Sequence, residues 1–349
     1  MNTQQPPPAR PRRGGFSLIE LVVAITVMAI LLLMVFSMVD QTQETWSQAS
    51  SRTSQFKEAR VSFESMTRRI RQASLNTYWD YRFDAQERPQ DYIRQSELHF
   101  VCGSMDDIAK VQASTYPTHG IFFQAPLGFS ENKEYQNFTA MMNAWGYFLE
   151  YGDDRDDMPP FLQSRVEPRN RYRLMEFRRP AEELEIYEEA EVRRNTRRTD
   201  DNKWFASHLS GPEAPTRVLA ENIVALVISP RTSEHENEVA PTDMAPTFSY
   251  DSRQGLGETG FAAAINARHL HLLPPLIQIT MVAIDERTAA QLDRAGSVPN
   301  FIPAGVFVRA ANIDQDIRTV EAHLQDLGMN YRVFTATVPM RAAKWTQTR

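Results

Sequence analysis

The residues best placed to do chemistry in this chain lie near its amino-terminus. Gly15 and Phe16 end a short basic leader, and Glu20 is the only charged residue between positions 16 and 39. An acidic side chain inside a membrane helix is costly, by roughly 2.5–3.5 kcal/mol for an aspartate at the centre. Cleavage after Gly15 would create an α-ammonium group on Phe16, about one helical turn from Glu20. We therefore predict that Glu20 pairs with such a group, in the same or a neighbouring subunit.

The apolar run that contains Glu20 predicts a membrane helix. It covers residues 16–39 without glycine or proline, and about 20 residues are enough to cross a bilayer. In a cleaved secretory signal the small residues follow the apolar run, whereas here Gly14 and Gly15 precede it. Arginines before the run and acidic residues after it predict a cytoplasmic amino-terminus. The rest of the chain would then lie across the inner membrane, whose lipid would be a partner.

The sequence from Gly15 onward, Gly-Phe-Ser-Leu-Ile-Glu-Leu-Val-Val-Ala, resembles the class III signal of type IV prepilins and type II secretion pseudopilins. The resemblance implies that a prepilin peptidase cuts after Gly15 and that Phe16 becomes the N-methylated first residue. It also implies that Glu20 is the carboxylate used in assembly. The partners would be the prepilin peptidase and other pilins or pseudopilins.

A helical pattern continues beyond the apolar run. Apolar residues recur every three or four positions at Phe56, Ala59, Phe63, Met66, Ile70 and Ala73, and Trp46 and Ala49 extend the stripe backwards. This spacing is typical of an amphipathic helix. One helix over residues 16–75 would be roughly 90 Å long, and two helices with a break near residues 40–44 are the alternative. We interpret the arginines on the other face as solvated: Arg60, Arg68, Arg69 and Arg71.

Beyond about residue 90 the patterns favour strands. Short segments rich in aromatic and β-branched residues occur at 97–102, 120–124, 145–151, 172–178, 223–229, 276–285 and 331–338. Residues 276–285 are apolar on one face and only partly polar on the other, which predicts a central strand covered on both sides. Asp314 or Asp316 would cap a helix that ends before Gly328, and residues 287–294 suit a short helix. Residues 193–203 and 231–260 are expected to be loops, the second a mobile insertion.

The predicted fold class is α+β and pilin-like, with a long amino-terminal helix packed on a mainly antiparallel β-sheet head. The predicted organisation is a cleaved leader (1–15), a transmembrane helix (16–39), its periplasmic continuation (40–75) and a head (76–349). The stretch from Val218 to Leu226 and the proline-led strand from Pro275 resemble J-type minor pseudopilins. The ending from Asn330 to Trp345 and the stretch from Tyr172 resemble the C member of the Verru_Chthon cassette of prepilin-type proteins.

Other candidate chemistry is weak. The net charge of −6 argues against nucleic acid as a partner, and a single cysteine, Cys102, excludes an internal disulfide. His269 and His271 could share a strand face, but no third ligand follows at a short spacing. Calcium prefers oxygen ligands such as those of a dense acidic patch, although we favour a solvated turn: Asp153, Asp154, Asp156 and Asp157. The arginines within residues 165–179 are expected to form internal ion pairs.

No common catalytic or nucleotide-binding motif occurs in the sequence. We therefore expect no enzymatic activity, no cofactor and no metal. The main hypothesis is a structural minor pilin or pseudopilin, whose large head favours a tip or priming position. An adhesin or DNA-uptake subunit on the same anchor is the alternative, and a basic or aromatic patch on the head would support it. A membrane-tethered enzyme is the third hypothesis, and it would need a cleft with convergent titratable groups.

Overall fold

The computed structural model describes residues 18–83, 86, 88–135, 137–155, 158–187, 202–211, 213–232, 244–253, 270–286, 289–290 and 301–344. The chain divides into two compact units, Met1–Ser54 and Gln55–Arg349. Each unit contains a part of the first helix, α1, which runs over Leu18–Ile70 without the break that the alternative interpretation placed near residues 40–44.

Helix α1 persists because its sequence offers no helix breaker: after Gly15, the first proline is Pro89 and the first glycine is Gly103. It ends at Ile70, about five residues earlier than predicted. A tight turn follows, in which the amide of Ala73 donates to the carbonyl of Ile70 at 3.0 Å. The amide of Ser74 then donates to the carbonyl of Gln124 at 2.9 Å. The helix thus ends where the backbone begins to form hydrogen bonds with strand residues of the neighbouring sheet.

The second unit is a head built mainly of antiparallel strands, which confirms the predicted fold class. The strands are β1 (Tyr78–Phe83), β2 (Pro89–Gln95), β3 (Val101–Ser104), β4 (His119–Pro126), β5 (Met142–Asp153), β6 (Asn170–Arg179), β7 (Thr216–Glu221), β8 (Ile223–Arg231), β9 (Tyr250–Asp251), β10 (Leu276–Ile284) and β11 (Tyr331–Pro339). The α-helices after α1 whose bounds lie within the described residues are α2 (Met105–Ala109), α3 (Lys203–Ala206) and α4 (Ile313–Asp326).

Within the described residues these strands form three sheets. The largest has the order β7-β6-β5-β4-β3-β9, a second has the order β11-β10-β8, and β1 pairs only with β2. All pairings are antiparallel. From β3 to β7, each strand pairs with the next strand in the sequence, which is the usual arrangement in an antiparallel sheet.

The three-stranded sheet packs against other parts of the head on both faces, and its strands β8 and β10 are almost entirely buried. One face, which includes Ile279 of β10, joins a large core with the six-stranded sheet and with Met66 of α1. The other face, which includes Val282, packs in a smaller core against Val320 of α4. The prediction that residues 276–285 form a central strand covered on both sides is therefore confirmed. The predicted stripe of α1 is confirmed as well, since Ala59, Phe63, Met66 and Ile70 are buried.

Several local predictions need correction. The strand predicted at 97–102 begins only at Val101. Asn312 occupies the N-cap position of α4 and makes no side-chain capping bond, so neither Asp314 nor Asp316 is the N-cap. Asp316 accepts the amide of Phe307 at 2.9 Å instead. Gly328 has a φ of +67°, as expected for a residue that ends a helix. The hairpin of β1 and β2 was not predicted.

The segment expected to be an insertion, residues 231–260, is described in part. Tyr250 and Asp251 form β9 and pair with β3 at the edge of the six-stranded sheet. Met244, Ala245 and Phe248 are buried beside them. This part of the segment therefore belongs to the head's packing, while residues 233–243 and 254–260 lie outside the described residues, as does most of 287–294.

Candidate functional site

The amino-terminal part of α1 is an apolar helix whose surface is exposed. Leu21–Gln43 is long and apolar enough to cross a membrane, and none of this stretch is buried. Leu18, Leu33 and Phe36 are among its many exposed apolar side chains. Soluble proteins rarely expose a continuous apolar surface of this size. The helix therefore needs apolar surroundings that the described residues of the chain do not supply.

The hydroxyl groups within this stretch are already satisfied by the helix itself. Thr26 donates to the carbonyl of Val23 at 2.8 Å, and Thr42 donates to that of Met38 at 2.7 Å. Ser37 makes the same kind of bond one turn back, at 3.1 Å. Because hydrocarbon offers no hydrogen bonds, polar groups in a membrane must find partners within the protein. The stretch is therefore compatible with lipid in two respects: its length, and the internal hydrogen bonds of its hydroxyl groups.

The residues predicted to be cut, methylated and used in assembly are described only in part. Gly15 and Phe16 lie outside the described residues. Glu20 is the third residue of α1, in its first turn, and its side chain is not described. The pairing of Glu20 with the ammonium group of Phe16 therefore stays a prediction.

A comparison with known protein families identifies this segment. Residues 10–36 match the prokaryotic N-terminal methylation motif. The amino-terminus is of the prepilin type. The match includes Gly15, Phe16 and Glu20 as well as most of the exposed apolar stretch. No curated protein and no solved structure matches the chain. A prepilin-type amino-terminus implies processing by a prepilin peptidase, assembly with other pilins and a membrane-anchored chain.

The stripe of the prepilin-type helix does not extend as far back as predicted. Trp46 was expected to continue the packed face, but its side chain is 77% exposed. The side chain of Ala49 is not described. Among the α1 side chains that the structure describes, Phe56 is the first that contacts the large core, and Ala59 is the first that is buried in it.

A charged node ties the head's part of α1 to the six-stranded sheet. Glu176 of β6 is fully buried and forms ion pairs with Arg69 of α1 and with Arg217 of β7. It also accepts hydrogen bonds from the Tyr147 hydroxyl and from the indole nitrogen of Trp145, each at 3.0 Å. Buried charges are tolerated only when paired and hydrogen-bonded. Both oxygens of Glu176 meet that condition.

The same node corrects the interpretation of Arg69 as part of a solvated face. The Arg69 guanidinium lies 4.9 Å from the centre of the Trp145 ring, a cation–π distance. Burial alone would lower the pKa of Arg69, but Tyr147 and Glu176 raise it. Burial and the charge of Glu176 raise the pKa of Tyr147 far above its ordinary value. The sequence contained one signal for this node, because Glu176 shares a strand face with apolar Leu174.

Most of the arginines of residues 165–179 form ion pairs, as predicted. Arg171 contacts Glu286 at 2.9 Å, Arg179 contacts Glu185 at 2.9 Å, and Arg173 lies 3.5 Å from Glu150. Most of these acidic partners come from distant parts of the sequence, which the sequence alone did not indicate. With Arg169, which pairs with Asp154, four of the six arginines in this range are therefore paired with carboxylates of the head.

The two described residues of the acidic patch after Gly152, Asp153 and Asp154, accept hydrogen bonds from nearby backbone amides. Asp154 accepts the amide of Arg169 at 2.7 Å and its Nε at 2.8 Å. Although burial acts to raise the pKa of Asp154, these bonds lower it. Asp153 accepts the amide of Arg155 at 3.2 Å. Asp156 and Asp157 lie outside the described residues. Among the described residues, no group of three His, Cys, Asp or Glu side chains is arranged to hold a metal ion.

Two buried histidines were not singled out by the sequence. The indole of Trp204 donates to Nδ1 of His99 at 3.1 Å, and Nε2 of His99 lies 2.7 Å from Asp251. Because an indole nitrogen is a donor only, Nδ1 carries no proton and Nε2–H donates to Asp251. Burial would raise the pKa of Asp251, but His99 and the amide of Arg253 lower it. Both ring nitrogens of His99 are engaged inside the core, as in a structural histidine. His269 lies outside the described residues, and His271 is buried.

The second buried histidine, His119, lines a surface cavity of about 620 Å³. The cavity also includes Asp106, Asp107 and the apolar side chains Val224 and Phe301. Nδ1 of His119 accepts the amide of Ile228 at 3.1 Å and so completes the free edge of β8. Burial lowers the pKa of His119 to about 4. His119 is therefore neutral and accepts a backbone hydrogen bond. Because Nδ1 is used in that bond, it is not available as a general base.

Proposed function

We propose that the chain is a minor pilin or pseudopilin, a structural subunit of a type IV pilus or a type II secretion pseudopilus. One observation carries the proposal: the methylation motif at residues 10–36 coincides with an exposed, apolar, membrane-length helix. The motif supplies a cleavage site, and the helix supplies a surface that needs lipid or other helices around it. A secreted enzyme with a cleaved signal peptide would need neither the methylation motif nor a membrane-length helix in its mature chain.

Assembly in this proposal depends on the first residues of α1. Prepilin peptidase cuts after Gly15, and Phe16 becomes a methylated, positively charged end. Once helices stack in the filament, Glu20 pairs with the Phe16 ammonium group of a neighbouring subunit. The pair fixes the register of the helices and removes an isolated carboxylate from an apolar environment, where it would be costly.

The orientation and the place in the filament belong to the same proposal. Arginines before the apolar run favour a cytoplasmic amino-terminus in the inner membrane, with the head in the periplasm. The head unit, Gln55–Arg349, is large for a subunit repeated at every position of a thin shaft. We therefore assign the chain to the tip or the priming complex, as a protein similar to J-type minor pseudopilins or to the C member of the Verru_Chthon cassette.

The proposal gives the chain no catalytic role. Titratable groups that converge in the head, such as Glu176 with Arg69 or His99 with Asp251, already satisfy each other. A catalytic base must be within reach of a substrate proton, whereas Glu176 and His99 are both fully buried.

A second function, adhesion through the head, is favoured by one specific observation. The hairpin of β1 and β2 exposes three aromatic side chains: Trp79, Tyr81 and Tyr92. An exposed aromatic patch is the feature expected of a binding subunit. DNA uptake is not favoured, because the net charge of −6 would repel a polyanion.

The assembly role is tested by Glu20→Ala in cells that produce the complete filament system. The variant should be cut after Gly15 and methylated normally, yet fail to enter sheared filaments, because its helix lacks the partner of the neighbour's ammonium group. Asp40→Ala is the matched control, since Asp40 is an exposed acid on the same helix. It should enter filaments like the unmodified chain. Normal incorporation of Glu20→Ala, or an equal loss with Asp40→Ala, would contradict the role.

A further inference from the structure

The hairpin of β1 and β2 is a separate two-stranded sheet with an aromatic face. Trp79 and Tyr81 lie two residues apart in β1, so their side chains point to the same side of the hairpin. Their cross-strand partners are Arg94 and Tyr92, respectively. The three aromatic side chains are between 52% and 59% exposed. Neither hydrophobic core includes any described residue of the hairpin. Packing of the head therefore does not explain why these rings are aromatic.

The face is ordered although it is exposed. The rings of Trp79 and Tyr92 are 5.7 Å apart and nearly parallel, with an interplanar angle of 20°. Tyr81 lies 5.1 Å from Tyr92, and the Arg94 guanidinium lies 5.6 Å from the centre of the Trp79 ring. Cross-strand aromatic pairs of this kind hold each other in place. A ligand that settles on them would cost little side-chain entropy.

The base of the hairpin is anchored, so the face has a fixed position on the head. The Tyr78 hydroxyl donates to Glu97 at 2.7 Å, and the Thr77 hydroxyl donates to the carbonyl of His271 at 3.0 Å. Asn76 accepts the amide of Leu98 at 3.2 Å. An isolated two-stranded hairpin is only marginally stable in water, and these bonds join it to the rest of the head.

The charge around the face restricts what it can bind. Residues 78–95 contain four acidic and three basic side chains, and the whole chain is negative. Surfaces for single-stranded nucleic acid combine stacking rings with an excess of positive charge, and anionic lipid surfaces also select basic residues. The hairpin has stacking rings without that excess. Its chemistry fits an uncharged ligand that offers flat C–H faces to the rings and hydroxyl groups to Arg94 and the tyrosines.

We infer that the Trp79–Tyr81–Tyr92 face is a binding site for an uncharged polysaccharide, of the class built from β-linked, gluco-configured pyranoses. In such sugars the hydroxyl groups lie around the ring edge, so both flat faces present C–H groups. The sugar rings would stack on the side chains of Trp79 and Tyr92, and the Arg94 guanidinium would donate hydrogen bonds to the sugar hydroxyl groups. This site is independent of the assembly role, because it uses none of the residues near Glu20.

The test measures binding of cellohexaose and N-acetylchitohexaose to the full-length chain, in a detergent that has no sugar headgroup. Titration should be saturable and should change the tryptophan fluorescence. Trp79→Ala and Tyr92→Ala should each weaken binding roughly tenfold or more, the loss typical of one stacked ring. Tyr92→Phe should retain most of the affinity. Phe161→Ala is the control, because Phe161 is an aromatic residue outside the hairpin and is even more exposed, at 68%.

Near-UV circular dichroism checks that each variant keeps the fold of the head. Failure of both hexasaccharides to bind would overturn the inference, as would an equal loss with Phe161→Ala. A Trp79-dependent interaction with oligo-dT, with lipid vesicles or with a second copy of the chain would overturn it in favour of that partner. None of these results bears on Glu20→Ala, which reports filament entry and not ligand binding.

Discussion

Two stretches of α1 illustrate how differently one helix can use apolar residues. Over Leu21–Gln43 they surround the helix, and none is buried. Over residues 56–70 most of them form one stripe, and Ala59, Phe63, Met66 and Ile70 are buried in the head. The second stretch finds its partners in its own chain, whereas the first must find them in lipid or in other subunits. A prepilin-type chain needs both, because it must fold as a monomer and still remain ready to assemble.

A large effect is expected from the charged node that fixes the second stretch. Glu176→Ala leaves the partly exposed Arg69 and Arg217 without their partner and the buried Tyr147 hydroxyl without its acceptor, and the free energy of unfolding should fall by about 2–4 kcal/mol. Denaturant unfolding of the head, followed by tryptophan fluorescence, measures this loss. Glu64→Ala removes an exposed pair with Arg60 and should cost less than about 1 kcal/mol. Equal losses in the two variants would mean that the node does not stabilise the head.

A matched pair of methionine substitutions compares the two stretches directly. Met66 is fully buried, and Met38 is 72% exposed on the same helix. Met66→Ala should lower the free energy of unfolding by about 2–5 kcal/mol, because it removes buried volume. Met38→Ala should change it by no more than about 0.5 kcal/mol. If both variants unfold alike, the two stretches do not differ in the way described.

A pH-dependent loss of stability is also expected, from His119 in the head. Burial lowers the pKa of His119 to about 4, from 6.5 in an unfolded chain. The unfolded chain therefore binds a proton first as the pH falls. The free energy of unfolding is therefore highest above pH 6.5, as far as His119 is concerned. Between pH 6.5 and pH 4 it should fall by about 3 kcal/mol in total. Unfolding curves across this window should show the decline, and His119→Gln should flatten it. An unchanged slope in His119→Gln would assign the decline to other groups.

The parts of the fold that depend on local pattern could be predicted from the sequence. The stripe of α1, the central strand β10 and the glycine after α4 were all confirmed, because burial imposes a period or a backbone angle on neighbouring residues. Long-range pairings were missed. Nothing near Arg69 indicates that it meets Glu176, and nothing near His99 indicates that it meets Asp251. The aromatic hairpin was missed because its rings face solvent, where no burial pattern exists to reveal a strand.

The central claim is that this chain is processed as a prepilin at the junction of Gly15 and Phe16. Mass spectrometry of its amino-terminus, in cells with and without prepilin peptidase, tests that claim most directly. We expect a mature chain that begins with methylated Phe16 when the peptidase is present, and the uncut leader when it is absent. A chain that keeps its leader in both cells, or a mature end other than Phe16, would contradict the claim.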